Sequence, residues 1–315
     1  MIYGSVCSGI EAATVAWHPL DWQPSFFSEI DPFASRVLQH HYPHIPNFGD
    51  MTKFKDWWLH ALDVLVGGTP CQSFSVAGLR KGLDDPRGNL MLTYLAIADK
   101  YRPRWLVWEN VPGVLSSNSG RDFGALLGGM GQLGYGFAYR VLDAQYVRVE
   151  SHSRAVPQRR RRVFVVGYLG DWRRAAAVLF ERESLSGHPP PSREKRKDVA
   201  PTLSARTKGG GGLGTDFECD GGLIPDIARC VTTGEHTRQD YETCTLIPIG
   251  VGERIGSRVR RLLPIECERL QGFPDNYTII PKAKDGPRYK ALGNSMATNV
   301  MQWIGKRIQM VDDIK

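Results

Sequence analysis

The sequence contains no C-x-x-C pair: its six cysteines, Cys7, Cys71, Cys219, Cys230, Cys244 and Cys267, stand apart along 315 residues. That spacing argues against a zinc knuckle and a disulfide framework. With no apolar leader in the sequence, the expected compartment is a reducing cytoplasm, where a cysteine persists as a free thiol. No stretch approaches the roughly 20 continuous apolar residues of a membrane span. Nor does the loop that follows the first apolar run, "SVCSGIEAA", take the G-x-G-x-x-G form, which disfavours a dinucleotide and with it a nicotinamide oxidoreductase. What is present suits a globular protein: 42% hydrophobic residues, enough for a sizeable core and, at this length, two domains of unequal size. The formal charge of +7 hides clusters, "RRRR" at Arg159–Arg162 and "RVRR" at Arg258–Arg261. These point to a phosphate-bearing partner, although such runs commonly form solvated faces.

Short apolar runs alternate with helical patterns through the first part of the chain. "MIYGSVCSG", "PSFFSEID", "DVLVGGTP", "RWLVWENV" and "RVFVVGYLG" read as buried strands, each ending in small or polar residues. Between them "IEAATVAW", "PFASRVLQHHY" and "LMLTYLAIADKYRP" read as helices, the last stopped by Pro103. This alternation predicts a parallel α/β sheet wrapped by helices, with ligands at the carboxyl ends of the strands. After residue 171 the texture changes to "SGHPPPSREKRKD" and "RTKGGGGLGTDFECDGG", a loop-rich domain with short strands such as "ETCTLIPI". Ala297, Val300, Ile304, Ile308 and Val311 then fall at helical spacing, so "SMATNVMQWIGKRIQMV" predicts an amphipathic helix that must cover a surface.

"GGTPCQSFSVAG" places Cys71 in a loop after an apolar strand, behind Gly67, Gly68 and Pro70. A lone cysteine is most often a small buried hydrophobe. At the carboxyl end of a parallel sheet, however, its thiolate is a candidate nucleophile, and a carbon electrophile would need a proton donor elsewhere on the substrate. Glu109, ending the strand in "WENVPG", is placed to donate, since a carboxyl in an apolar pocket keeps its proton. In "VPQRRRRVFVVG" an extended backbone directs Arg160 and Arg162 to one side and Arg159 and Arg161 to the other. "SVCSGIEAA" followed by "FFSEID" puts Glu29 twenty positions after Gly9, where an acid can bind ribose hydroxyls. Without a pyrophosphate loop, an adenosine-type cofactor fits better than a dinucleotide.

In this order, and over nearly the whole chain outside residues 172–255, these motifs closely resemble the DNA (cytosine-5)-methyltransferase family of bacteria and their phages. "CSGIEAA" stands where the family has its cofactor loop, "EID" its ribose-binding acid, and "GDMT" the aspartate that holds the adenine amino group. "GGTPCQSFSVAG" matches the nucleophile loop, "ENV" and "PQRRRRV" the next two motifs, and "RRLLPIECERLQGFPDNY" and "YKALGNSMATNV" the last two. The resemblance implies a Rossmann-like S-adenosylmethionine-dependent methyltransferase sheet with a smaller loop-rich target-recognition domain. The boundaries expected are 1–171 for the catalytic and cofactor-binding domain, 172–258 for target recognition, 259–292 for the connection back, and 293–315 for a C-terminal helix rejoining the first domain.

On the matching positions, the resemblance implies that Cys71 attacks C6 of a cytosine, Glu109 holds N3 and the amino group, and Arg162, supported by Arg160, binds the ring carbonyl side. S-adenosylmethionine contacts are expected from Ser8, Gly9, Ile10, Glu29, Asp50, Met51, Pro70, Leu90, Asn294 and Ser295. The target base must leave the duplex, and "AGLRKGLDDPRG" is expected to close over it, with Arg80, Lys81 and Arg87 on phosphates and Gln72, Ser73 and Ser75 against the backbone or the gap. Arg229, Thr232, Thr233, Arg238 and Gln239 are candidates for reading the target. The expected partner is double-stranded DNA, with no metal and no membrane, in a monomer of bacterial or phage-infected cytoplasm, with a cognate restriction endonuclease as a conceivable companion. Two alternatives are a tRNA cytosine-5 methyltransferase and a catalytically silent DNA-binding protein. The sequence departs from the family at Cys7, where an aromatic is usual, at Glu11 and Ala12, where two glycines are usual, and in the longer link "VRVESHSRA".

Overall fold

The computed structural model describes residues 1–58, 61–70, 90–180, 228–229, 246–249 and 258–314. In chain order the elements are β1 (Ile2–Val6), α1 (Ala12–Trp17), β2 (Gln23–Ser28), α2 (Pro32–His41), β3 (Val64–Gly67), α3 (Leu90–Tyr101), β4 (Trp105–Asn110), α4 (Arg121–Gln132) and β5 (Tyr135–Asp143). They continue with β6 (Gln158–Arg159), β7 (Arg161–Leu169), α5 (Trp172–Leu179), β8 (Ala228–Arg229), β9 (Leu246–Ile249), β10 (Arg258–Arg261), α6 (Pro264–Gln271), α7 (Asp285–Asn294) and α8 (Thr298–Asp312).

Six strands form the main sheet in the order β2-β1-β3-β4-β7-β5. The apolar runs make these strands because each residue meets a helix layer on one face or the other. Val64, Val66, Trp105, Val107, Phe164 and Val166 enter one core, while Leu65, Leu106, Trp108, Val163 and Val165 enter the opposite one. Helices α1, α5 and α8 cover the first face, and α3 and α4 the second. The sheet is not wholly parallel, as the sequence suggests. β1 to β4 run parallel, but β7 is antiparallel to both β4 and β5. The reason lies in the connection: between β5 and β7 the chain makes only a 3-10 turn at Ala144–Tyr146 and the short β6. No crossover helix carries it back to the far edge, so β7 must return against β5. β5 itself was absent from the sequence reading.

The final helix covers a sheet face, as its apolar spacing requires: Ala297, Val300, Ile304, Ile308 and Val311 are all buried. Three indoles fasten it. Trp17 Nε1 donates to the Met301 carbonyl at 2.7 Å, Trp22 Nε1 to Gln309 Oε1 at 2.8 Å, and Trp105 Nε1 to Asp312 Oδ1 at 2.9 Å. Gly305 makes the approach possible, because a Cβ there would stand 2.4 Å from the Trp17 ring. The long link "VRVESHSRA" also serves this helix. Lys306 Nζ meets Glu150 Oε2 at 2.7 Å, Ser151 Oγ donates to Gln302 Oε1, and Asn299 Nδ2 donates to the carbonyls of Ala144 and Val147 at 2.9 and 2.8 Å.

A third core joins α2 to the returning chain through Phe33, Val37, Cys267, Phe273, Tyr277 and Leu292. Helix α5 packs on β5 and β7, so the sheet's own layer extends past residue 171, where the sequence reading begins a second domain. Likewise residue 293 falls inside α7, not at a boundary. β9 pairs antiparallel with β10, and β8 lies parallel to β6.

Replacing Ile304, which is fully buried against the sheet, by Ala should cost about 2–5 kcal/mol of unfolding free energy in a urea titration. A loss below about 1 kcal/mol, well short of that range for a core cavity, would mean that α8 is not part of the catalytic layer's core.

Candidate active site

Four parallel strands end at one edge of the sheet, and the loops that follow them build the site. After β1 the chain turns through Cys7, Gly9 and Glu11, all with left-handed φ values of 49°, 56° and 64°. This turn lays the loop against the end of β2: Ser8 N donates to the Ser28 carbonyl at 3.2 Å and Gly9 N to Glu29 Oε2 at 2.7 Å. Glu29 Oε1 accepts from Asp31 N at 2.7 Å, so the carboxylate is fixed from both sides. Asp50 caps the turn Met51–Asp56 by accepting from Thr52 N at 2.9 Å.

Between these loops and α7 lies an open cleft of about 320 Å³. Of the residues expected at the cofactor, Gly9, Glu29, Asp50, Met51, Pro70, Leu90 and Asn294 line it. Ser8 and Ser295 line a smaller inner cavity, which shares Cys7, Gly9, Gly68 and Asn294 with the cleft. Ile10 lines neither. Its side chain is fully buried in the third core with Phe33 and Val37, because the left-handed residues on either side turn it inward, and its carbonyl accepts from the Tyr277 hydroxyl at 2.9 Å.

Among the lining residues not expected as site residues, four bear on the chemistry: Ile30, Lys290, Cys7 and Glu11. Ile30 is 72% exposed at the cleft, an apolar surface between two acids, and Lys290 closes the rim by an ion pair with Asp31 at 2.9 Å. The apolar Ile inside "SEIDP" was the available signal for the first. Cys7 and Glu11 were visible only as departures from the family pattern. Cys7 Sγ donates to Met51 Sδ at 3.5 Å, and burial, with the Glu29 carboxylate, pushes its thiol up to about 12.

Glu109, the fifth residue of β4, also lines the inner cavity. Glu109 Oε1 meets Arg162 Nε at 3.1 Å, with both side chains largely buried. Burial pushes the Glu109 carboxyl above its ordinary value, against the pull of Arg162 and Arg160. Arg160 is buried and Arg162 largely so, while Arg159 and Arg161 are exposed, the alternation expected of an extended strand. Arg160, immediately ahead of β7, donates through Nη2 to the carbonyls of Gly293 (3.0 Å) and Ser295, tying the start of that strand to the C-terminal end of α7.

The chain leading to Cys71 is held against this pair. Trp108 Nε1 donates to Thr69 Oγ1 at 3.0 Å and Asn110 Nδ2 to the Thr69 carbonyl at 2.9 Å. A Cβ on Gly68 would lie 3.0 Å from Glu109 Oε2 and 3.2 Å from Met296 Cε. Cys71, Gln72, Ser73, Ser75, Arg80, Lys81, Arg87, Thr232, Thr233, Arg238 and Gln239 lie outside the described residues. Of the target-reading candidates only the Arg229 backbone is described; it runs beside Arg159 in the β6–β8 pair.

A profile described as "C-5 cytosine-specific DNA methylase" matches residues 1–310. The chain belongs to that family. A "DNA N-6-adenine-methyltransferase" of Escherichia phage P1 is 34% identical over 98% of this chain, which spans 61% of that relative's length. The Type II methyltransferase M2.BsuMI of Bacillus subtilis is 28% identical over 96% of the chain and 74% of its own length. Among solved structures, the S. pombe Dnmt2 methyltransferase superposes with a TM-score of 0.66 at 17% identity, covering 99% of each chain, a likeness of fold.

S-adenosylmethionine is the cofactor of this methylase fold, and the residues present suit it. Glu29 and Asp50 present carboxylate acceptors of the kind that ribose hydroxyls and an adenine amino group would meet, Ile30 and Met51 offer apolar surface, and left-handed Gly9 has open space where a Cβ would stand. Among the described residues no helix is long and apolar enough to cross a membrane.

Glu11 introduces a pH dependence of stability. It is buried, accepting from Ser5 Oγ and from Thr14 N and Oγ1, and burial pushes its carboxyl up to about 7. The unfolded chain gives up the same proton near about 4.3. Between those values the folded state holds a proton that the unfolded state has lost, so this residue makes stability fall as pH rises through the window. Glu11→Gln should flatten that fall, the variant's Tm gaining on wild type by several degrees between pH 4.5 and 7.5 in calorimetric scans. A difference independent of pH would refute the assignment.

Proposed function

We propose that this enzyme methylates C5 of a cytosine flipped out of a specific duplex DNA sequence, through a covalent bond between Cys71 and C6. The observation that carries the reading is the largely buried Glu109–Arg162 pair, whose acid lines the inner cavity and against which the segment Gly68–Pro70 runs into Cys71. Cytosine offers an acceptor at N3, a donor at its amino group and an acceptor at O2. Glu109, its proton retained by burial, donates to N3 and faces the amino group, while Arg162 donates to O2.

With N3 so held, ring electron density is drawn away from C6, and the Cys71 thiolate adds there. The S–C6 bond forms as the C5–C6 π pair moves to C5, which becomes the nucleophile. S-adenosylmethionine, when bound, supplies the electrophilic methyl group. Loss of the C5 proton then restores the double bond as the S–C6 bond breaks and the thiolate leaves. Arg160 acts at one remove: by gripping the Gly293 and Ser295 carbonyls it fixes the strand that carries Arg162 to the cavity that holds the cofactor.

Methylation of an exocyclic adenine nitrogen, the activity named for the phage P1 relative, uses that nitrogen's own lone pair. It requires neither a thiolate on the ring nor a proton donor at N3. The residues assembled here are therefore better matched to cytosine. Residues 200–248 are assigned to target reading, with Arg229, Thr232, Thr233, Arg238 and Gln239 on base edges or phosphates.

Incubation of mixed-sequence plasmid with the enzyme and S-adenosylmethionine, followed by nucleoside mass spectrometry, should yield 5-methylcytosine, and bisulfite sequencing should confine it to one short context. N6-methyladenine in its place would overturn the reading, and methylation of tRNA alone would transfer it to RNA. Cys71→Ala should abolish turnover and the covalent adduct with 5-fluorocytosine in duplex DNA while leaving DNA binding intact. Glu109→Gln should slow methyl transfer by about two orders of magnitude, with cofactor affinity unchanged within a few-fold.

A further inference from the structure

The inner cavity contains one carboxylate that cytosine chemistry does not use. Glu11 and Glu109 are the charged groups lining it. Glu109 is met by Arg162, but among the described residues no cation pairs with Glu11, although it is only 1% exposed. Its hydrogen bonds come from the neutral groups Ser5 Oγ, Thr14 Oγ1 and Thr14 N, which leave acceptor capacity on the carboxylate. Its backbone is left-handed, at φ 64° and ψ 60°, a conformation disfavoured for a residue with a side chain. A buried carboxyl with no counter-charge among the described residues and a strained backbone thus coincide at one residue on a ligand cavity.

The two cavities divide the cofactor chemically. The outer cleft, with Glu29, Asp50 and Ile30, presents acceptors and apolar surface suited to adenosine, and it is continuous with the inner one through Cys7, Gly9, Gly68 and Asn294. The amino-acid end is left for the inner cavity, and that end carries an ammonium group.

We propose that Glu11 binds the α-ammonium of the methionine part of S-adenosylmethionine, so that this enzyme secures the amino-acid end of its cofactor by a buried charge pair. The proposal rests on the cofactor assignment and adds a specificity-determining residue to it. The N-cap hydrogen bond to Thr14 positions the carboxylate, and the ligand supplies the missing cation.

Calorimetric or tryptophan-fluorescence titration with three ligands tests this without turnover: S-adenosylhomocysteine, its desamino analogue, and 5′-methylthioadenosine, which lacks the amino-acid end. Wild type should bind S-adenosylhomocysteine at least about tenfold more tightly than the desamino analogue, the scale of a charge-assisted hydrogen bond. Glu11→Gln should close most of that gap while leaving 5′-methylthioadenosine affinity unchanged, which also shows that the adenosine cleft is folded. Equal wild-type affinity for the first two ligands would overturn the proposal whether or not the variant folds, as would a gap that persists in the variant. Failure of wild type to bind any of the three would instead overturn the cofactor assignment beneath it.

Discussion

The direction of β7 is the constraint on which the site depends. Glu109 sits at the carboxyl end of β4, and Arg162 comes opposite it only because β7 starts where β4 finishes, Asn110 pairing with Val163. Run in parallel, the same strand would deliver its first residues to the other edge of the sheet, roughly 25 Å away at strand rise. The acid would then be buried without its arginine, a state that neither group tolerates in a dry interior. The antiparallel return thus fixes the electrostatics of the cavity, and the hydrogen bonds of Arg160 to Gly293 and Ser295 extend that order to the last turn of α7.

Much of this was legible in the residues. Runs such as "WLVW" and "VFVV" are apolar on both strand faces because helices cover both sides, and a double-sided run cannot be mistaken for a solvated hairpin. The reading failed where the signal is physically weaker. β5 alternates buried with half-exposed residues, so it lacks a continuous run. An apolar run carries no arrow, so the direction of β7 could come only from its connection, whose lack of a helical pattern was the available clue. Helices α6 and α7 are short and take their burial from a few positions each, too few for a periodicity to stand out.

The cofactor loop shows a different limit. Spacing brought Gly9 and Glu29 together at neighbouring strand ends, where the structure also has them in contact, since the distance between two strand ends is set by the helix between them. It could not say which loop side chains face the ligand. Left-handed turns at Cys7, Gly9 and Glu11 reverse the usual alternation, send Ile10 into the core and leave Glu11 on the cavity. A glutamate among residues expected to be small reads from sequence as a departure; in the fold it is a buried, hydrogen-bonded carboxyl.

The docking of α8 has a consequence for how such a chain can change. Trp17 is fastened to Met301 across nearly the entire sequence, and Arg307 reaches the Ala177 carbonyl, so the layer that begins at residue 1 is finished only by the last helix. The stretch between α5 and β10 therefore leaves and re-enters a body whose two anchor points are held by other elements: Arg307 of α8 grips the end of α5, and the Tyr289 hydroxyl of α7 donates to the Leu262 carbonyl just after β10. Lengthening a chain between fixed ends costs little, on the order of 0.6 kcal/mol for each doubling. Changes of length in that stretch can accordingly accumulate at little cost to the sheet, so the layer on either side of it and the stretch itself are free to change at different rates.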